Sequence, residues 1–277
     1  MDRLPLILST LCFLIGFAAT LVSLKAGHYR PRRFNLAMMA AGFALQTAFL
    51  VLRGKALAHC PLTNLFEVLV FLSWSIALFY FLIGPAYRLS LLGMFTEPLI
   101  FLLQTIALLA PIDTPHPPFP PHSPWMELHA ALSVIAYGAF ALAGVAGVMY
   151  LAQERQLKTH RLGALFFQMP PITALATANL RLLWMGLFLL TAGLASAVAI
   201  RVPVAHGVLV WSVAMWVSYL LLALGRRLGP RRVALFSVAA FVLSIVMLCV
   251  LAHINPKPKA DQSPVVQASE LYRRAGL

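Results

Sequence analysis

Charge is scarce in this chain. Only 10% of its 277 residues are Asp, Glu, Lys or Arg, against about a quarter in a water-soluble domain. Acids are the rarer sign, with eight Asp plus Glu in all. Together with an apolar share of 61% and a mean hydropathy of +0.86, this excludes an ordinary soluble globular protein. Cysteine is confined to Cys12, Cys60 and Cys249. They form no C-x-x-C pair and two lie in apolar runs, so neither a zinc site nor a thiol-exchange motif is available. A Gly-rich phosphate loop, an H-E-x-x-H pair and a G-x-S-x-G elbow are all missing, which leaves hydrolase and nucleotide-driven readings without residues. No internal repeat of solenoid type is visible.

What the sequence does hold is long apolar runs. Eight can be drawn, at about 4–24, 35–52, 65–83, 91–110, 129–152, 182–200, 207–225 and 233–252. Each approaches the roughly 20 residues that cross a bilayer core as a helix. Runs this continuous lack the dyad alternation of barrel strands, and helices satisfy their backbone groups internally in hydrocarbon. The expectation is an all-α, polytopic integral membrane protein of about eight transmembrane helices. Residues 1–253 read as one transmembrane domain and 254–277 as a polar, basic tail. The first run reads as a span and not a cleaved signal, because its basic cluster (Lys25, Arg30, Arg32, Arg33) follows the apolar stretch.

The net charge of +13 could suggest nucleic acid, but basic residues confined to short loops have a simpler cause: they set orientation. The loops after the first, third, fifth and seventh runs hold 13 Lys and Arg, whereas the N-terminus and the other loops hold 4 and the tail 4. Both termini are therefore expected on the outer, periplasmic side of a bacterial inner membrane. The expected surroundings are a lipid bilayer, with no nucleic acid partner.

On this map six of the eight histidines share the outer side: His59, His116, His122, His129, His206 and His253. His116 and His122 lie in the proline-rich stretch PIDTPHPPFPPHSPW, which is expected to be extended. His129 stands where the fifth span begins, in Trp125-Met126-Glu127-Leu128-His129, and His253 where the eighth span ends. Two imidazoles at the outer ends of two helices can supply axial ligands to a haem iron. Each can equally be an interfacial histidine bonded to headgroups or backbone. Trp125, in the outer loop beside His129, is placed to pack on a porphyrin, whereas an aromatic belt at the interface accounts for Trp74, Trp184, Trp211 and Trp216. Arg201, and less so Lys55 and Arg53, are outer cations suited to a propionate, or to lipid headgroups by snorkelling. Asn64 and Glu67, three apart, are expected to cap a helix or bond a neighbouring one. Glu97, followed by Pro98, is expected at a kink with its carboxyl satisfied by a neighbour. Small residues of the fifth and sixth spans, Gly138, Gly144, Gly147, Gly186 and Gly193 among them, permit close helix packing.

Three stretches together resemble one family. Pro61-Leu62-Thr63-Asn64-Leu65-Phe66-Glu67 with Phe71-Leu72-Ser73-Trp74 resembles the P-L-S-N-L-Y-E-S…F-L-S-W segment of the haem-handling cytochrome c assembly proteins, the group of CcsA, CcmC and HemX. Trp125 through His129 resembles their W-x-x-x-H segment, and Met169-Pro170-Pro171 through Leu190-Thr191-Ala192-Gly193 their inner loop and L-T-x-G span. The resemblance covers roughly residues 59–196. It implies an outward-facing site for a b-type haem, held non-covalently and in transit, that serves attachment to apocytochrome c together with another assembly subunit. By position it implies His129 as one axial ligand, His253 as the nearest candidate for the second, and His59 as a match to a histidine found before that segment in CcsA.

The chain departs from the family where CcsA and CcmC carry a tryptophan-rich W-G-x-x-W-x-W-D tract. Here that place reads Ile200-Arg201-Val202-Pro203-Val204-Ala205-His206-Gly207, closer to the HemX-like members, and His206 stands in it as a conjectural substitute ligand. The leading expectation is thus a haem-binding protein that assists cytochrome c biogenesis and is not itself an enzyme. Its rivals are a HemX-like regulatory or structural membrane protein without haem presentation and, last, a small-solute transporter, for which only Gln46, Gln104 and Glu97 offer polar groups in the spans.

Overall fold

The structure is a computed structural model that describes residues 3–25, 32–87, 92–109, 113, 124–160, 170–199 and 206–254. The side chains of residues 24–25, 32, 84–87, 199, 206–209, 226–227, 247–249 and 251–254 lie outside the description. The described residues form eight α-helices and no strand: α1 (Leu4–Lys25), α2 (Arg32–Leu57), α3 (Leu65–Tyr87), α4 (Leu92–Leu109), α5 (Pro124–Thr159), α6 (Ile172–Ala199), α7 (His206–Leu224) and α8 (Pro230–Ile254). A short 3₁₀ turn, Gly225–Leu228, joins the last two. Helices α1 to α6 are each long and apolar enough to cross a membrane, and α7 contributes a shorter apolar stretch, Val210–Leu224. The chain is an all-α, multi-pass membrane protein. It divides into two units, Met1–Phe241 and Val242–Leu277; of the second, the described part is the closing half of α8.

Two helices exceed the spans that hydropathy suggests. Helix α5 has 36 residues, about 54 Å at 1.5 Å per residue, against a hydrocarbon core of roughly 30 Å. Its last turns, with Glu154, Arg155 and Lys158, therefore project past the core as helix and not as loop. Helix α6 begins at Ile172, ten residues before the apolar run at 182. Leu175, Ala178, Leu182 and Leu183 are fully buried there, a 3-4 spacing that puts one apolar face inward and leaves Arg181 exposed on the other.

Within the first unit, α1, α2, α3 and α4 pack as a four-helix bundle, α5 lies against α3, and α6 pairs with α5 along most of its length. Gly138 marks the α3–α5 crossing, where a Cβ would run into Ser75; small residues permit such approach in membranes. Helix α7 docks through Tyr219, whose ring stacks on Phe140 of α5 at 3.5 Å and 3°.

The four-helix bundle is crosslinked by buried polar side chains at several depths. Thr10 Oγ1 donates to Gln104 Oε1 at 2.7 Å, Gln104 Nε2 donates to Ser9 Oγ at 3.3 Å, and Ser9 Oγ donates to the Gly42 carbonyl at 2.8 Å. Gln46 Nε2 donates to the Val70 carbonyl at 2.8 Å and to Ser73. Glu97 is fully buried in α4, which continues through Pro98. The Asn35 amide donates to its Oε1 at 2.6 Å and to the Gly16 carbonyl at 3.3 Å. Trp74 and Trp216 are not belt residues: each lies mid-helix with its indole N–H on a threonine of another helix, Thr47 at 2.9 Å and Thr191 at 2.8 Å. An indole inside a span needs such an acceptor, and threonine on a neighbouring helix supplies it.

Candidate functional site

The site lies at the end of the first unit where α1, α3 and α5 begin and α2 and α6 end. Asn64 caps α3, its Oδ1 accepting from the Glu67 N–H at 2.8 Å. Glu67 answers by accepting from the Thr63 N–H and Thr63 hydroxyl, both at 2.8 Å. This reciprocal arrangement resembles a capping box and explains why Asn and Glu stand three apart at a helix start. A carboxylate there also faces the positive end of the helix dipole.

Glu67 has only 2% of its side chain exposed and holds a second partner, Arg53 from the last turns of α2, at 2.9 Å. Arg53 in turn holds Asp113, which follows α4, at 2.6 Å. Arg3 reaches the other oxygen of Asp113 at 2.8 Å, and Asn64 Nδ2 donates to Asp113 Oδ1 at 3.2 Å. Both guanidiniums lie over the Phe66 ring, 5.1 and 5.2 Å from its centroid. Burial alone would raise the Asp113 carboxyl, but the hydrogen bonds and charges of Arg53 and Arg3 outweigh it and hold its pKa below the ordinary value. The two cations and two carboxylates of this rim thus neutralise each other. Arg53, offered by the sequence as a propionate partner, is already bound to Glu67 and Asp113. Lys55 is exposed on the next turn.

Helix α2 ends at Leu57 and Ala58 adopts a left-handed conformation, φ 57°, the usual geometry just beyond a helix end, though uncommon for alanine. That turn sends the chain into His59 and Cys60. The Cys60 N–H donates to Glu127 Oε2 at 3.3 Å, which ties this loop to the first turn of α5. His59 is half-buried with Nδ1 2.9 Å from the Cys60 carbonyl. Burial, aided by the charges of Glu127 and Glu67, pushes the Cys60 thiol up to about 11, away from nucleophilic use at neutral pH.

Trp125 is on the first turn of α5 and not in a loop, because α5 starts at Pro124, a residue suited to the first helical turn. It is 51% exposed and one turn before His129, on the same face. His129 is half-buried, and its Nδ1 lies 2.7 Å from the carbonyl oxygen of Gly193 on α6. A carbonyl only accepts, so Nδ1 carries the proton and the neutral ring keeps its lone pair on Nε2. Nε2 has no hydrogen-bond partner among the described residues. The same carbonyl accepts from Ser196 Oγ at 2.7 Å. Gly193 brings the two helices together: a Cβ there would lie 3.0 Å from Ser133 Oγ and 3.4 Å from the Ser133 nitrogen.

Of the other sequence candidates, Arg201, His116 and His122 lie outside the described residues. His206 is the first residue of α7 and His253 lies in the last turn of α8, in the second unit; the side chains of both are outside the description. Glu97 belongs to the bundle interior and not to this rim. Sequence reasoning missed Asp113 and Glu127, whose signal was available in the scarcity of acids, since each stands within a turn of residues already singled out.

With this geometry in place, comparison with known proteins identifies the family. A profile of the family described as "Cytochrome C assembly protein" matches residues 62–199. The chain belongs to that family. It is 29% identical over 153 residues to Protein HemX of Brevibacillus brevis, covering 53% of this chain and 54% of that one. It is 32% identical over 166 residues to the cytochrome c biogenesis protein CcsA of Chlorella vulgaris, covering 56% and 53%. With CcsA of Chlamydomonas reinhardtii it is 26% identical over 213 residues, covering 74% and 55%. The chain thus spans about half the length of these relatives. The matched region contains Asn64, Glu67, His129 and Gly193, so the capped start of α3 and the α5–α6 contact both fall inside it.

Proposed function

We propose that this chain binds haem at the rim where α5 begins, with His129 Nε2 as an axial ligand, and takes part in cytochrome c biogenesis. The observation that carries the reading is the Nδ1 contact of His129 with Gly193. Metal-bound histidines characteristically donate their second ring N–H to a carbonyl or carboxylate, which fixes the tautomer and aims the ligating nitrogen. Bound haem supplies an iron whose axial positions take neutral imidazole. Trp125, exposed one turn away, offers a flat apolar face beside it; the Glu67–Arg53–Asp113–Arg3 network ties the start of α3 to the end of α2 without adding net charge, and Glu127 ties the start of α5 to the Cys60 loop.

On this reading the chain holds a b-type haem non-covalently and in transit, with His253, His59 or His206 as the second ligand and Arg201 on a propionate. It is not itself an enzyme: another assembly subunit brings apocytochrome c, and bond formation occurs there. The charge bias supports both termini on the periplasmic side of a bacterial inner membrane. The stretch between α6 and α7 contains neither tryptophan nor aspartate, which favours a second reading, HemX-like, in which haem presentation is lost.

The deciding experiment is an absorption spectrum with a pyridine haemochrome assay on protein purified in mild detergent from haem-replete cells. Near-stoichiometric haem that is lost in His129→Ala, with helicity unchanged by circular dichroism, is the expected result. Unaltered haem in that variant overturns His129 as a ligand. A protein that stays colourless and takes up no added haem supports the second reading, as do normal c-type cytochromes in a deletion strain.

A further inference from the structure

At the opposite end of the first unit, a cavity of about 240 Å³ opens between α5, α6 and the start of α8. Its wall is largely apolar, Ala176 included, with Tyr150, Thr177 and Asn179 as polar members, and the Asn179 amide is already bonded to the Ala143 carbonyl and the Ser237 hydroxyl. Tyr150 is 7% exposed, yet its hydroxyl makes no hydrogen bond with any described residue. The hydroxyl is open to the cavity it lines, so it is free to donate to a ligand with an acceptor at that point.

Depth and size narrow the ligand. Tyr150 lies 21 residues beyond His129 on α5, about 32 Å of helix, close to the thickness of the hydrocarbon core. If His129 stands at one interface, the cavity stands at the other, level with the glycerol region of the lipid. The volume holds about eight groups of water size at ~30 Å³ each, enough for part of one hydrocarbon chain and below the roughly 300–1,000 Å³ of sites that enclose whole cofactors.

Charge at the mouth narrows it further. One turn beyond Tyr150, Glu154 is held by Lys158 at 2.8 Å and by Arg231 at 3.3 Å, and Arg232, the next residue of α8, is exposed. Two cations thus hold a single carboxylate, and with the exposed Arg232 next in sequence the local surplus is positive. Basic residues beside an apolar cleft between helices suit an anionic lipid headgroup.

We infer that this cavity binds one acyl chain of an anionic phospholipid, whose ester carbonyl accepts from the Tyr150 hydroxyl and whose phosphate lies against Arg231 and Arg232. Delipidated protein in mild detergent, mixed with phosphatidylglycerol or phosphatidylcholine and weighed by native mass spectrometry, tests it. Wild type should retain one phosphatidylglycerol and hold phosphatidylcholine about tenfold more weakly. Ala176→Phe, which fills the cavity from a partly exposed position, should abolish retention; Tyr150→Phe, which keeps the ring, should weaken it about fivefold. Equal retention by wild type and Ala176→Phe overturns the site, as does equal retention of the two lipids. Haem content plays no part in this readout, so the outcome is separable from the proposal for His129.

Discussion

His129 on α5 and Gly193 on α6 are 64 residues apart in sequence, and their contact, at 2.7 Å from ring nitrogen to carbonyl oxygen, joins two motifs that the sequence presents separately. The contact depends on helix separation. Gly193→Val would press methyl groups onto Ser133, whose Oγ would already lie 3.0 Å from the new Cβ with its backbone nitrogen directly behind at 3.4 Å. The expected cost is about 1–3 kcal/mol, with loss of the fixed Nδ1–H tautomer. Thermal unfolding in detergent and the ¹⁵N spectrum of His129 read both. Ser133→Ala should recover part of the stability lost in Gly193→Ala, because the nearest atom is then gone.

Arg53 serves two carboxylates, and its own side chain is 12% exposed. Arg53→Met leaves Glu67 and Asp113 without their shared cation and should destabilise the rim by about 3–5 kcal/mol, the usual result of breaking one side of a buried pair. Glu67→Gln should cost less, since Arg53 keeps Asp113. Equal effects of the two substitutions in a denaturant titration would show that the Arg53–Asp113 pair adds no stability of its own.

Asp113 has its pKa held down in the folded protein by Arg53 and Arg3 against the opposing effect of burial. Its contribution to stability is therefore complete above the ordinary carboxylate pKa and lost as pH falls through that value toward the lowered folded one. Wild type and Asp113→Asn should differ at neutral pH and draw together as pH falls below about 4, meeting only below the lowered folded pKa. Stability curves from pH 3 to 7 that remain parallel would remove Asp113 from the ion-pair network.

Cys60, with its thiol raised to about 11 by burial and by Glu127 and Glu67, should react slowly. In a Cys12→Ser, Cys249→Ser background, maleimide labelling at pH 8 should run about 100-fold slower than for a free cysteine of pKa ~8.5. The rate should climb about tenfold per pH unit toward pH 10, and Glu127→Gln should raise it at fixed pH.

Gly16 leaves the space that Glu97 occupies: a Cβ there would lie 2.6 Å from Glu97 Oε1. Gly16→Ala should lower stability by about 1–3 kcal/mol, whereas Glu97→Gln keeps the shape and should be tolerated. The pair of melting curves is the test, and the reverse order would mean that Glu97 matters for its charge.

Hydropathy made the helices legible, since backbone satisfaction in lipid leaves few alternatives to a helix for a long apolar run. The start of α6 was not legible, because Asn179 and Arg181 read as loop until Leu175, Ala178 and Leu182 are seen facing inward. His129 drew notice as a histidine at a span boundary, but its partner is a main-chain carbonyl, and a carbonyl has no signature in a sequence. Gly193 was visible only as a small residue. Asp113 was visible as the single acid of its proline-rich stretch, but a stretch expected to be extended gives no spacing from which to infer that this acid turns back to Arg53.

The polar crosslinks of the four-helix bundle bear on how the chain is assembled during synthesis. Gln46 of α2 finds its partners in α3, but Thr10 and Ser9 of α1 bond Gln104 of α4, and Asn35 of α2 bonds Glu97 of the same helix. A nascent chain that has inserted only α1, α2 and α3 thus still lacks the interhelical partner of Thr10 and leaves Asn35 with the Gly16 carbonyl alone. Helix α4 supplies Gln104 and Glu97 at once, so the bundle closes in a late, concerted step, and a chain that stalls before α4 would present these groups to lipid.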